Sequence, residues 1–120
     1  KNLPILFVVE DNNRSILTEK KIRRNWDIHS VAKSFKMKGF NINDDPSNIE
    51  KYKKYFFKEP MLLNVNTNRL FWHSGAGQDD PKTFDRYKYE LKKIGKEAIK
   101  IDQKIKHKIN KLWQRQLEKQ

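Results

Sequence analysis

Residues 3–15 read LPILFVVEDNNRS, and the fold turns on them. Residues 3–9 are a continuous apolar run with Pro4 at its entrance. A run of this length bounded by turn residues predicts a strand covered on both faces, as in a parallel sheet. Glu10, Asp11, Asn12, Asn13 and Arg14 then arrive together. In open α/β sheets ligands gather beyond the carboxyl ends of the strands, so this cluster stands where such a fold places a site.

Working outward, residues 15–25 are basic and irregularly patterned and read as a loop or frayed turn. Residues 27–38 predict a helix: Asp27 or Ser30 caps it, Ile28, Val31, Ala32 and Phe35 recur at helical spacing, and Gly39 stops it. Residues 40–43 read as a short strand. Asp44-Asp45-Pro46-Ser47 is a helix start with proline in the first turn, and that helix should run to about Phe57. Lys58-Glu59-Pro60 ends it, and residues 61–67 (MLLNVNT) read as a third strand. The order β–α–β–α–β, with connections of helical length, predicts parallel strands joined by right-handed crossovers.

A glycine-containing loop covers residues 70–81, and a long helix, in one or two pieces, runs from Lys82 to the end. Ile94, Ala98, Ile101, Ile105, Ile109 and Leu112 trace an apolar stripe along it. Residues 91–120 hold ten Lys and Arg against three acidic residues, which concentrates there most of the chain's net charge of +12. The expected organisation is therefore an α/β unit over residues 1–81 and a basic amphipathic helical tail over 82–120.

Composition bounds the rest. At 120 residues the chain is the size of one small domain. Charged residues make up 35% and mean hydropathy is −1.00, a lean core, yet three Trp, seven Phe and four Tyr set it apart from disordered sequences. No cysteine is present, which excludes disulfides and thiolate chemistry. No apolar run approaches the roughly 20 residues that span a bilayer, and no membrane partner is expected. Three strands and a helix leave apolar surface uncovered, so more sheet upstream of Lys1, or a partner, is expected.

Two separated pieces resemble one family. LPILFVVEDNNRSILT resembles the segment that closes the cofactor motif in α-subunits of thiamine diphosphate-dependent 2-oxo acid dehydrogenases (the E1 component). There an apolar strand ends in Glu-Asn-Asn or Glu-Asp-Asn shortly before a Ser or Thr. EPMLLNVNTNRLFWHSGAGQDDP is similar to a later feature of the same family: a proline-led strand, a Thr-x-Arg and a His-Ser loop followed by Asp-Pro. The resemblance implies the C-terminal part of a three-layer, parallel-sheet thiamine diphosphate-binding fold, followed by the long helical segment. It implies Mg²⁺ held by the Asn12 side chain and the main-chain carbonyl of Arg14, with Asn13 as the other register for the amide ligand. It implies that His73 faces the diphosphate and the reacting carbonyl, and that Ser74 matches a serine phosphorylated in some relatives. The implied reaction is oxidative decarboxylation of a 2-oxo acid with acyl transfer to a lipoyl carrier. The implied partners are an E1 β-subunit or equivalent pyrimidine-binding domain, which brings the general acid–base carboxylate, and a lipoyl-bearing acyltransferase. The implied compartment is the cytoplasm, or the mitochondrial matrix or another organelle in a eukaryote. The Gly-Asp-Gly that opens the motif would lie upstream of Lys1, and residues 1–120 alone are expected to be inactive.

Plainer readings stand beside these. Asp-Asn-Asn after a strand is usually a turn. Asp79 and Asp80, ahead of Pro81, read as helix caps rather than a catalytic pair, and Gly75-Ala76-Gly77 is too short for a phosphate-binding fingerprint. His29 and His107 carry no functional reading, and no zinc-type ligand spacing occurs. Other thiamine diphosphate enzymes of the transketolase and decarboxylase group remain an alternative, as does a basic nucleic-acid-binding module. Against the latter, the tail's lysines surround the helix instead of forming one stripe.

Overall fold

A computed structural model describes residues 3–71, 73 and 82–119. Contacts divide the chain into two compact units, Lys1–Phe84 and Asp85–Gln120.

The first unit is built on a three-stranded parallel sheet. Its strands are β1 (Leu6–Asp11), β4 (Lys38–Asn43) and β5 (Met61–Asn66), in the order β1-β5-β4. Between β1 and β4 lie a small antiparallel hairpin, β2 (Arg14–Ser15) and β3 (Thr18–Glu19), then helices α1 (Lys20–Arg23) and α2 (Ile28–Ser34). Helix α3 (Pro46–Tyr52) and a 3-10 turn (Lys53–Tyr55) connect β4 to β5. The parallel arrangement expected from the connection lengths is the one found.

Local chemistry explains the element starts. The Asp27 carboxylate accepts from the Ser30 amide at 2.9 Å and caps α2, while Asp45 accepts from the Ser47 amide at 2.8 Å ahead of Pro46. The ends differ from expectation. Helix α2 stops at Ser34, with Lys36 at φ 57° turning the chain, and Gly39 lies inside β4. Helix α3 closes five residues early through the 3-10 turn, and Phe57 at φ 58° completes the exit.

Gly39 is there for proximity. A Cβ on it would lie 2.7 Å from His29 Cδ2 and 3.3 Å from the Ala32 Cβ, so α2 lies against that face of the sheet. Phe40, the next residue, points the other way and meets the rings of Tyr52 and Tyr55 at 4.5 and 5.6 Å. Helices therefore flank the sheet on both sides. Gly39→Ala should cost about 1–3 kcal/mol by overpacking, and His29→Ala in the same background should restore most of it. Urea unfolding of the two single variants and the double variant checks this, and additive losses would refute it.

The strand covered on both faces is β5, not β1. Met61, Leu62, Leu63, Asn64 and Val65 are all buried, as befits the central position. Ile42, Leu63 and Val65 form the core cluster, with Leu6, Phe40, Tyr52 and Phe56 packed against it. On the opposite face the buried Asn64 donates its amide to Asn41 Oδ1 at 3.0 Å. Strand β1 sits at the sheet's edge among the described residues, and Phe7 and Val8 are 45% and 54% exposed. Its apolar run reflects β propensity more than double-sided burial.

The second unit holds α4 (Arg86–Ile94) and α5 (Lys96–Leu117). Asp85 caps α4 by accepting from the Lys88 amide at 2.9 Å, so the helix starts four residues later than Lys82. Gly95, at φ 77° and ψ −142°, breaks the helix in two, a conformation L side chains rarely adopt. The Tyr87 hydroxyl donates to Asp102, which also pairs with Lys106 at 2.8 Å, tying α4 to the start of α5. That contact raises the Tyr87 phenol above its ordinary pKa, chiefly through the hydrogen bond to the carboxylate. The expected caps Asp79 and Asp80, with Ser74 and the 75–77 glycine run, lie outside the described residues.

Candidate functional site

The acidic and amide cluster folds as a compact turn at the carboxyl end of β1. The Asn13 amide donates to Asp11 Oδ1 at 2.9 Å, and the Arg14 amide donates to Asn12 Oδ1 at 3.0 Å. Two consecutive Asx turns hold Asn13 at φ 61°, a conformation asparagine tolerates. The chain then enters the hairpin, where sequence reading expected only loop. The Lys20 amide donates to the Asn13 carbonyl at 2.9 Å, and Arg14 faces Glu19 in the register. Alternation along an antiparallel ladder places Arg14 in the non-bonded position, so its carbonyl points away from β3. The hairpin tip is strained: Ile16, a β-branched residue, sits at φ 55°. Arg69, from the segment after β5, donates to the Ile16 carbonyl at 2.5 Å and ties the tip to the neighbouring strand's exit.

This arrangement brings the sequence candidates together. Asn12, Arg14 and His73 line one open cleft of about 720 Å³, with Glu10, Thr67, Asn68 and Arg69. It lies at the carboxyl ends of β1 and β5. Asn12 Oδ1 already accepts one hydrogen bond from the Arg14 amide and keeps a second lone pair.

A second cavity, of about 460 Å³, opens on the same turn and was not anticipated from the sequence. Arg14, Lys20, Arg23 and Arg24 contribute cations to it, against Glu10 and Asp11. The Asp11 side chain is only 8% exposed and pairs with Lys20 at 2.5 Å and Arg24 at 3.4 Å. Burial pushes its carboxyl up, but the Lys20 hydrogen bond, the Asn13 amide and the charges of Lys20 and Arg24 outweigh that and hold it below the ordinary aspartate value. Arg24 lies 4.4 Å over the Trp26 ring, and its Nε is buried without a hydrogen-bond partner among the described residues. A cavity with four cations against two carboxylates carries surplus positive charge, which suits an anion with several acceptor oxygens. Lys20, Arg23 and Arg24 drew no attention in sequence because a basic run is usually a solvated face. Only their spacing from Asp11 once the hairpin folds makes them a wall.

Among the described residues no group of three or more His, Cys, Asp or Glu could hold a metal ion alone. No protein-family model matches the chain, and neither a curated protein nor a solved structure does.

Proposed function

We propose that this chain is part of a thiamine diphosphate-dependent 2-oxo acid dehydrogenase of the E1 α type, catalysing oxidative decarboxylation with acyl transfer to a lipoyl carrier. One observation carries the reading. Asn12 and Arg14, with His73 some sixty residues further along the sequence, line a single cleft at the strand ends, beside a cavity walled by four cations.

The donor set fits the implied group. Mg²⁺ takes hard oxygen ligands, commonly one or two from protein and the rest from phosphate and water. A cluster of protein carboxylates is not required for that, and an amide oxygen with an outward carbonyl suits it. Asn12 Oδ1 and the Arg14 carbonyl would hold the cation, and Arg14, Lys20, Arg23 and Arg24 would offset the diphosphate charge. The bound cofactor supplies carbanion-stabilising chemistry that no side chain provides. Within that reading His73 would be placed to donate a hydrogen bond to a phosphate oxygen or to the substrate carbonyl. The Arg69 hydrogen bond to the Ile16 carbonyl would hold the hairpin tip beside the cleft and so help orient Asn12 and Arg14. The acid–base carboxylate would come from the β-type partner.

Calorimetry on the full-length polypeptide that contains this chain, with its β-type partner, tests the reading. Thiamine diphosphate should bind only with Mg²⁺ present, and Asn12→Ala should weaken it at least about tenfold, or ~1.4 kcal/mol. Asn13→Ala should leave affinity nearly unchanged. Equal affinity with and without Mg²⁺, or in both variants, would remove the cofactor assignment.

A further inference from the structure

The apolar stripe of α5 is open to solvent. Ile101, Ile105, Ile109 and Leu112 are all about half exposed, and Trp113 is 65% exposed. At 3.6 residues per turn these five side chains occupy an arc of about 120° on the helix. Residues 103–117 carry five Lys and Arg and no acidic residue. Lys104 and Lys111 lie away from the stripe, while Lys106 borders it on the Trp113 side and Lys108 and Arg115 on the Ile101 side. The one acid within the arc, Asp102, is engaged by Tyr87 and Lys106.

We propose that α5 binds an anionic lipid surface, lying in the interface with the stripe at Ile105, Ile109, Leu112 and Trp113 among the acyl chains. An apolar face with lysines on the polar face is the pattern of an interfacial helix. The bordering lysines can extend their stems and place ammonium groups among acidic headgroups. Trp113, at the edge of the arc, sits where indole rings favour the membrane boundary. Pairing with a second copy is opposed by charge, because like charges would border both sides of the seam. The expectation of no membrane partner rested on the lack of a spanning segment. No described helix is long and apolar enough to cross a membrane, but lying on a surface needs no span.

Vesicle co-sedimentation of the 120-residue chain tests this. Vesicles with about a third phosphatidylglycerol should bind at least about tenfold more tightly than pure phosphatidylcholine, with the preference falling as salt rises. Ile109→Ala/Leu112→Ala should weaken binding to the anionic vesicles at least about tenfold while far-UV circular dichroism holds, since alanine favours helix. Lys104→Gln/Lys111→Gln should weaken it severalfold and flatten the salt dependence, with the apolar face intact. Trp113→Phe should remove most of the vesicle-induced blue shift in tryptophan emission. Equal binding by the alanine pair would reduce the effect to adsorption of a cationic protein and overturn the proposal. Absence of binding to the anionic vesicles would overturn it too. A dimer in sedimentation equilibrium that the alanine pair abolishes, without lipid binding, would assign the stripe to a second copy instead.

Discussion

Leu63→Ala should lower the stability of this chain by about 3–4 kcal/mol, enough to leave much of it unfolded in the absence of denaturant. Leu63 is 2% exposed at the middle of the central strand. It touches the cluster that joins all three strands to α3 and the turn behind it, through Ile42, Val65, Leu6, Phe40, Tyr52 and Phe56. Truncation there removes transfer free energy and leaves a void that strands paired on both sides cannot close. The buried apolar residues are few: Ala32, Ile42, Met61, Leu62, Leu63, Val65 and Ala98 among those described. Little else can compensate. The matched control is Val8→Ala, whose residue is paired with Leu63 across the β1–β5 register but is 54% exposed, and which should cost no more than about 1 kcal/mol. Urea unfolding followed by circular dichroism separates the two. Similar losses at both positions would mean that β1 and β5 are equally covered, contrary to the burial described.

Asp11→Asn should cost about 2 kcal/mol at neutral pH and progressively less in acid. The carboxylate is nearly buried and is the anion that Lys20 and Arg24 share. An amide keeps the bond from the Asn13 amide but leaves both cations facing each other without charge compensation. Because the folded-state pKa is lowered, the charge contributes fully above the unfolded-state value. The contribution is lost as pH falls through the folded value. Wild type and variant should therefore converge once the pH falls below the lowered folded-state value. Glu19, Asp27, Asp85 and Asp102 are also held low by their hydrogen-bond partners. The wild-type curve alone would mix their effects, and the difference between the two proteins isolates Asp11. A gap unchanged from neutral to acid pH would show that Asp11 acts by shape rather than charge.

The parts of the fold legible in sequence were those with local causes. Asp27 and Asp45 are caps with their donors two or three residues on, and MLLNVN has β character whatever surrounds it. What escaped depends on distant residues. Which strand becomes central is set by pairing order, so the apolar LFVV and the apolar MLLNV look alike until β5 inserts between β1 and β4. Gly39 resembles a helix stop, but its reason is the approach of His29. The hairpin is invisible because two-residue strands carry no periodicity and because Ile16 adopts a conformation its side chain disfavours. The candidate cleft was half legible. A resemblance of motifs singled out Asn12, Arg14 and His73, which the fold then gathers. The basic cavity was not, because Lys20, Arg23 and Arg24 acquire their meaning only when α1 is drawn back to Asp11.

The outer edge of β1 has a colloidal consequence. Among the described residues this strand pairs only with β5, so one row of its amides and carbonyls faces outward along Leu-Phe-Val-Val. Such a row templates strand addition between molecules, the first step toward cross-β stacking. A net charge of +12 keeps molecules apart at low ionic strength, and Glu10 and Asp11 close the strand with acid. Salt screens the first defence within roughly a Debye length of 8–10 Å. Shelf life should thus shorten as buffer salt rises, the reverse of what an isoelectric precipitate does on salting in.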